Sequence, residues 1–277
     1  MSLPLPEIFP DEDYRFHLTL RKGDVAEFFR PAEPALLAER ARWLASEPQR
    51  YVGCEVGGVP AVEEFAAMAR PWLRETDTLG ASLRPEGRAV ASSPRRELER
   101  LGAALAPDFL LLREVAPLDF RLEAGVVCFP SWWDPAEKFG LGLEAIHGVV
   151  PRLNPTLGAT VGHFLKKLRP GAAFERANWG LAATPELNLH PQLARPRLTA
   201  TTPPDQIWVR IEDQLLACLP VTGAILFGIS LRILPWSDVL ADEAVRAGLE
   251  RALRTMPEEV AAYKGLSEVR ARLLAER

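Results

Sequence analysis

Four histidines are the side chains of this sequence best suited to ligand binding, and His147 is the strongest candidate among them. It lies in the segment VVCFPSWWDPAEKFGLGLEAIHGVVP, residues 126–151. Ile146 and Val150 flank it with apolar side chains, and Gly148 leaves the next backbone position open. A flat hydrophobic cofactor could therefore approach the imidazole here. The alternative is a partly buried imidazole with an ordinary hydrogen-bond partner.

The other three histidines are better explained by structure than by ligand binding. His17 lies in an alternating stretch that predicts a strand edge, and His163 lies on the shoulder of a predicted helix. His190 lies in a loop next to a proline. His147 is therefore the imidazole that we assign to a candidate binding site.

A second group of candidate residues is polar and is divided between two predicted strands. Arg176 and Asn178 alternate with apolar residues in one of them, and Arg210, Glu212 and Gln214 share a face of the other. If these strands are neighbours, their polar faces converge. Paired arginines would then hold the carboxylates of a cofactor, and a carboxylate would hold a small amine. The alternative is a surface ladder of opposite charges across the strands.

Several classes of function are excluded by what the sequence lacks. It contains no glycine-rich phosphate loop, dinucleotide fingerprint, nucleophile elbow or HExxH helix. Its net charge of −4 provides no basic surface for nucleic acid. The cysteines Cys54, Cys128 and Cys218 are too far apart for a zinc or iron–sulfur site and predict buried thiols. The absence of a long apolar run and of a signal pattern predicts a cytoplasmic protein with no membrane segment.

The pattern of predicted elements favours an α+β fold. Residues 207–219 and 224–234 predict one antiparallel hairpin, and residues 109–113 and 120–129 predict another. Helical spacing of apolar residues predicts helices over residues 34–46, 61–76 and 154–168. Because strands and helices do not alternate as in parallel sheets, we expect one central antiparallel sheet with helices on one face.

Other predictions concern the organisation of the chain and three local segments. We expect a single domain over residues 1–277, with a helical C-terminal extension at about 238–277. Residues 14–20 predict a strand, and Asp134 with Pro135 predicts the start of a helix. Residues 182–206 predict a long irregular loop of the sort that usually has a function.

Several segments, in this order along the chain, resemble the haem-binding subunit of the haem-dependent oxidative N-demethylases, the dimethylamine monooxygenase family. The resemblance extends over nearly the whole chain. The segments that carry it are GVVCFPSW at 125–132, EKFG at 137–140, AIH at 145–147 with VVP at 149–151, FLKKL at 164–168, RANW at 176–179, Glu212, Gln214, Leu216 and Leu219-Pro220, and GAILF at 223–227.

The resemblance implies a PAS-like α+β fold that holds haem b and removes a methyl group from a small secondary amine as formaldehyde, using dioxygen. Electrons would come from NADPH through separate subunits that carry flavin and a ferredoxin-like iron–sulfur cluster. His147 would be the proximal ligand of the haem iron, and Trp179 would also contact the cofactor. Arg176 and Arg210 would contact the propionates or the substrate pocket. Glu212 would be the catalytic residue that pairs with the protonated amine.

The sequence departs from the family pattern at three places. In the family pattern an Arg precedes the Gln that corresponds to Gln214, whereas this chain has Asp213. After the second strand the family usually has an Arg-Thr-Tyr-like run, whereas this chain has ISLR at 229–232. The family usually has a Pro before Val-Pro in the Ile-His segment, whereas this chain has Gly148-Val149 before Val150-Pro151. These changes concern the expected pocket and leave the substrate open. The alternative function is therefore a non-catalytic haem or small-ligand binding protein on the same fold, acting as a sensor or carrier. A third possibility is a relative that has lost haem.

Overall fold

The computed structural model describes residues 2–16, 19–29, 33–76 and 93–275 of the 277-residue chain. Its described strands are β1 (Arg21–Lys22), β2 (Val52–Cys54), β3 (Asp108–Ala116), β4 (Asp119–Val126), β5 (Ala173–Ala182), β6 (Trp208–Cys218) and β7 (Ile225–Pro235). Its described helices are α1 (Leu5–Ile8), α2 (Val25–Phe28), α3 (Pro34–Ser46), α4 (Pro48–Tyr51), α5 (Val59–Thr76), α6 (Pro94–Ala104), α7 (Leu143–His147), α8 (Ala159–Lys167), α9 (Trp236–Leu240), α10 (Glu243–Thr255), α11 (Glu258–Tyr263) and α12 (Ser267–Ala275).

These strands form one antiparallel sheet in the order β1-β5-β6-β7-β3-β4-β2. The long hairpin β6–β7 lies at the centre, between β5 and β3. Arg210, Glu212 and Gln214 alternate with Val209, Ile211, Asp213 and Leu215 along β6, so the three polar residues share one face and the opposite face is apolar except for Asp213. The α+β fold, the central antiparallel sheet with flanking helices and both predicted hairpins are confirmed.

Helices pack on both faces of the sheet, because β3 carries apolar side chains on both of its faces. Phe109 and Leu111 belong to a core with α3, α5 and α6, whereas Leu110 and Leu112 belong to a second core with α8. The expectation of helices on one face only is therefore wrong. A strand that is apolar on both faces must be covered on both faces.

A third core joins the C-terminal helices to the sheet. Val209 and Ile211 of β6 pack there with buried residues of α10, α11 and α12. The predicted helical tail over residues 238–277 is thus a set of helices held against the central sheet, and its last two residues lie outside the described part. This packing brings the end of α11 close to β5, where Lys264 donates a hydrogen bond to the carbonyl of Trp179 at 2.7 Å.

Two local predictions differ from the structure. Residues 14–16 form no strand, and His17 and Leu18 lie outside the described residues; β1 begins only at Arg21. Asp134 does cap the next turn, accepting a hydrogen bond from the backbone N–H of Ala136 at 2.9 Å, but only a 3-10 turn at Pro135–Glu137 follows. Gly140 soon takes a φ of 81°, which is incompatible with continuing a helix.

A buried carboxylate shapes the chain where it leaves β4 toward the site. Asp108 accepts hydrogen bonds from the backbone N–H groups of Cys128 and Phe129 at 2.8 and 3.0 Å. The guanidinium of Arg40, itself fully buried, pairs with the same carboxylate at 2.7 Å. These contacts satisfy the buried backbone donors and replace strand pairing just beyond Val126, which explains why β4 is shorter than predicted.

Candidate functional site

A cavity of about 370 Å³ lies against the face of the sheet that carries Gln214 and Glu212. Its apolar wall is contributed by β3, β4 and β7 on one side and by α7, α8 and the segment between them on the other. Representative residues of this wall are Leu110, Leu112, Leu122, Phe227, Val150 and Val161. The N-terminal segment and the end of α11 complete the lining through Tyr14, Phe16, Tyr263 and Lys264. A largely apolar cavity with a few polar groups is typical of a cofactor or small-molecule site.

His147 is the last residue of α7 and lines this cavity. The short helix is held by Asn154, whose side-chain amide donates to the carbonyl of Glu144 at 2.8 Å. Burial lowers the pKa of His147, and the positive charge of Arg176 lowers it further. The imidazole is therefore neutral at pH 7, the form in which histidine binds a metal. Within the described residues its ring has no hydrogen-bond partner.

The other histidines are placed away from the cavity or outside the described residues. His163 is exposed on α8, and His17 is not described. His190 is fully buried, where its Nδ1 accepts a hydrogen bond from the backbone N–H of Gln192 at 3.2 Å. Its Nε2 lies 3.3 Å from the carboxylate of Asp134 without hydrogen-bond geometry. These positions agree with the structural roles predicted for His163 and His190.

The register of β5 and β6 brings most of the predicted polar residues together. Arg176 pairs with Gln214, and Asn178 pairs with Glu212, so the four residues share one face. All four line the cavity. The convergence that depended on the two strands being neighbours is thus observed, and these residues do not form a solvent-exposed charge ladder.

Glu212 is a half-buried carboxylate held by neutral groups. It accepts hydrogen bonds from the hydroxyl of Ser131 at 2.6 Å, from the side-chain amide of Gln214 at 3.0 Å and from that of Asn178 at 3.4 Å. No cation of the described chain lies within ion-pair distance of it. Its negative charge therefore remains available to a cationic ligand in the cavity.

Arg210 is directed away from the cavity, although it lies on the same strand face as Glu212. Its guanidinium donates to the carbonyls of Phe129, Glu186 and Leu187 at 2.9, 3.2 and 2.6 Å, and to the hydroxyl of Ser131 at 2.8 Å. Burial lowers its pKa to about 10. Because the Ser131 hydroxyl accepts from Arg210, its own proton is directed to Glu212. Arg210 thus positions Glu212 through Ser131.

The irregular loop at 182–206 is attached to the sheet through Arg210 and does not border this cavity. None of the described residues 183–206 belongs to the cavity lining. Asn188 is fully buried and donates to the hydroxyl of Tyr51 at 3.0 Å. The loop therefore contributes to the site indirectly, by accepting the hydrogen bonds that fix Arg210.

Replacement of Arg210 by glutamine is expected to destabilise the protein by about 3 kcal/mol. A glutamine cannot replace all four hydrogen bonds, of which the one to Phe129 is buried and the other three are part-buried, and a buried group left without a partner costs roughly 1–3 kcal/mol. Urea unfolding of the hemin-free protein measures this change. The matched control is Arg246→Gln, because Arg246 and its partner Glu243 are exposed and 3.8 Å apart; about 0.5 kcal/mol or less is expected there. Equal stability of the two variants would contradict the assigned role.

Trp179 is buried on β5 and borders the cavity. Its ring packs against Phe9, with centroids 5.3 Å apart, and the ammonium of Lys264 lies 5.4 Å from the ring centroid. The same ammonium donates to the carbonyl of Trp179. Trp179 therefore anchors Lys264 at the cavity.

Sequence reasoning missed several of the cavity's ionisable residues, among them Lys264, Tyr14 and Tyr263. Burial lowers the pKa of Lys264 to about 8, and burial raises the pKa of Tyr14 to about 12. Lys264 precedes Gly265 at the end of a helix, a pattern that usually marks an exposed C-cap. Tyr14 and Tyr263 reach the site only through tertiary packing, and no local motif indicates it.

Two of the departures from the family pattern are partners of each other. Asp213 and Arg232 form a bidentate ion pair, with distances of 2.6 and 2.8 Å, and Arg232 also donates to the carbonyl of Leu3. Both residues lie outside the cavity lining. The substitutions therefore connect the central hairpin to the N-terminal segment and do not add charge to the cavity.

The lining of the cavity fits a flat apolar ring that carries carboxylates and a metal. Apolar side chains offer surface for the ring, neutral His147 offers a metal ligand, and Arg176 has no ion-pair partner among the described residues. Burial lowers the pKa of Arg176, so an anion beside it would be stabilised. In the described ranges, no three His, Cys, Asp or Glu residues cluster as a bare metal site, and no helix combines the length and hydrophobicity of a membrane span.

An antiparallel sheet backs an apolar cavity whose lining holds one imidazole and the cationic residues Arg15, Lys138, Arg176 and Lys264, an arrangement suited to an α+β protein that binds an anionic cofactor. The family described as haem-dependent oxidative N-demethylase, alpha subunit-like, matches residues 34–274. The chain belongs to this family, which confirms the resemblance inferred from the motifs.

Proposed function

We propose that this chain is the haem b-binding subunit of a monooxygenase that removes a methyl group from a small secondary amine such as dimethylamine. The observation that carries the proposal is the composition of the cavity: neutral His147 stands in an apolar wall, and Glu212 supplies a carboxylate without a cationic partner. Membership of the haem-dependent demethylase family supports it.

In this proposal each residue has a defined task. His147 would hold the haem iron as its proximal ligand, and the haem would supply the binding of dioxygen. Arg176 holds a propionate, and Trp179 bounds the cofactor. The sequence analysis expected Arg210, like Arg176, to contact the propionates or the substrate pocket. In this proposal Arg210 instead positions Glu212 through Ser131.

Glu212 receives the substrate by pairing with its protonated amine. A carboxylate that is already oriented by Ser131, Gln214 and Asn178 loses little freedom when it binds a cation. Haem, when bound, supplies oxygen activation. In the overall reaction, one oxygen atom of dioxygen leaves in formaldehyde and the other in water, while two electrons and two protons are consumed and the demethylated amine is released.

The electrons come from NADPH through separate flavin and ferredoxin-like subunits. This division of labour is supported by the sequence, which carries neither a dinucleotide fingerprint nor cysteines with cluster spacing. Dioxygen, the amine and these reductase subunits are then the partners of the chain.

A turnover assay tests the proposal. Hemin-reconstituted protein is supplied with NADPH, a ferredoxin and its flavin-containing reductase, and formaldehyde is measured with dimethylamine under air. We expect formaldehyde and methylamine in equal amounts, and none under argon. Tight hemin binding without formaldehyde, with every reductase tried, would instead identify a non-catalytic haem carrier or sensor.

A further inference from the structure

We propose that Arg176 and Lys264 together form a carboxylate-binding site in the wall of the cavity. The proposal deepens the function proposed above, because it assigns the pair of cations that receives a carboxylate group from the haem periphery or from a small acidic substrate. Lys264 belongs to the C-terminal helices, so this site makes those helices part of the ligand-binding surface.

The backbone fixes Lys264 at the cavity. It is the C-cap of α11, and the N–H of Gly265 donates to the carbonyl of Ala262 while the N–H of Leu266 donates to that of Ala261, at 2.9 and 2.8 Å. Gly265 has a φ of 70°, and Leu266 is fully buried. This is the Schellman arrangement, in which a left-handed glycine and a buried apolar residue end the helix. Lys264 therefore leaves the helix end at a defined position and direction.

The Lys264 ammonium is directed inward and retains donors. One of its N–H groups donates to the carbonyl of Trp179 at 2.7 Å, and within the described chain the other two have no partner. Burial lowers the pKa of Lys264 to about 8, and the nearby charge of Arg176 also lowers it. A buried cation beside another cation is stabilised by an anion placed between them.

Arg176 provides the second cation from the strand that carries Trp179. It lies three residues before Trp179 on β5 and lines the same cavity. Its guanidinium forms no hydrogen bond or ion pair with any described residue. A planar guanidinium with free donors binds carboxylates in a bidentate manner, so Arg176 and Lys264 offer complementary donors to one anionic group.

The two carboxylates of the cavity lining, Glu212 and Glu7, do not satisfy these cations. Glu212 interacts with both at long range, but its oxygens accept hydrogen bonds from Ser131, Gln214 and Asn178. Glu7, the second carboxylate of the cavity lining, also forms no ion pair with either cation among the described residues. Glu212 acts electrostatically on both cations but forms no ion pair with either, so their donors remain available to an anionic ligand.

Hemin titrations at pH 7, followed by Soret absorbance, test this site. Wild type, Lys264→Gln and Lys264→Arg are each titrated with hemin and with hemin dimethyl ester, which lacks the two carboxylates. We expect Lys264→Gln to bind hemin about tenfold more weakly than the wild type, because it loses a hydrogen bond to a charged carboxylate. Its affinity for the diester should equal that of the wild type, because the diester has no carboxylate for Lys264 to bind. Lys264→Arg should retain hemin binding. Lys167→Gln, at an exposed position, is the control for the loss of a surface charge.

A pH series provides a second readout. The wild-type affinity for hemin is expected to fall as the pH rises through about 8, because Lys264 then loses its proton, and this fall should be absent in Lys264→Arg. Thermal melts of the hemin-free variants establish that each one is folded.

Calorimetry on the hemin-free proteins distinguishes the source of the carboxylate. If Lys264→Gln leaves hemin binding unchanged but lowers the affinity for N-methylglycine about tenfold, without an equal loss for dimethylamine, the site binds an acidic substrate. Equal losses for hemin and its diester, or no loss for hemin and for N-methylglycine, would overturn the carboxylate site. Failure of the wild type to bind hemin would overturn the haem function alone, because the N-methylglycine titration does not depend on haem.

Discussion

Replacing His147 by glycine is expected to remove the sharp Soret band that the wild-type protein develops with hemin, and added imidazole is expected to restore it. Loss of a residue that only orients a metal ligand costs roughly 10–100-fold in metal affinity, so loss of the ligand itself should exceed about 100-fold. Because burial and Arg176 lower the pKa of His147, the neutral ligand persists at mildly acidic pH, and wild-type binding should weaken only below the usual range of histidine titration.

His163→Gly is the matched control for this experiment. His163 is exposed on α8, outside the cavity lining, and its removal should leave the Soret band and the hemin affinity unchanged. The glycine at position 147 also weakens the last turn of α7, and the imidazole rescue separates that structural effect from the loss of the ligand. An unaltered spectrum in His147→Gly would show that another group binds the iron.

Replacing Glu212 by glutamine is expected to raise KM for dimethylamine about 10–100-fold with a smaller change in kcat. A hydrogen bond to a charged group contributes roughly 1.5–3 kcal/mol. The contact between Glu212 and the amine exists both in the bound substrate and in the transition state, so its loss raises KM more than it lowers kcat. Steady-state formaldehyde formation with the reconstituted enzyme measures both constants. Glutamine preserves the size of the side chain and can still accept from Ser131, so the experiment isolates the charge.

Glu175→Gln provides the comparison for Glu212→Gln. Glu175 neighbours Arg176 on β5, but it pairs with Arg21 at 3.3 Å and does not line the cavity. Its replacement should leave KM unchanged. If the two glutamine variants have the same KM as the wild type, amine recognition by Glu212 is refuted, although haem binding is not.

Residues whose signals are periodic or local could be predicted from the sequence. Alternation along 207–219 predicted β6 and its polar face, and the strand-like pattern near Arg176 predicted β5. The meeting of Arg176 and Glu212 at one cavity depended on the register, which pairs Asn178 with Glu212 and was left open by the sequence. His147 could be selected because its apolar neighbours and the following glycine are consecutive in the chain.

Residues whose roles depend on long-range packing could not be predicted. Lys264 reaches the cavity because the C-terminal helices pack on Val209 and Ile211, and the sequence marks it only as a helix end. Arg210 has a strand position that favours the cavity, yet backbone carbonyls from two distant loops bind its guanidinium. No sequence motif marks such carbonyls, so only the folded structure shows that they bind the arginine and keep it out of the cavity.

The ion pair of Asp213 and Arg232 illustrates how two unusual residues can explain each other. Each differs from the pattern expected of the family, and each would leave an uncompensated, largely buried charge if it stood alone. Together they form a bidentate contact on the face of the hairpin opposite Glu212. The cavity's polar residues are therefore unaffected by this change.

The most direct test of the central claim, that this cavity holds one haem through His147, is a hemin titration of the purified wild-type protein. We predict a sharp Soret band that saturates at one hemin per chain, with difference spectra typical of an iron bound by histidine. Absorbance that rises without saturation, as for free hemin, would contradict the claim and identify the chain as a family member without haem.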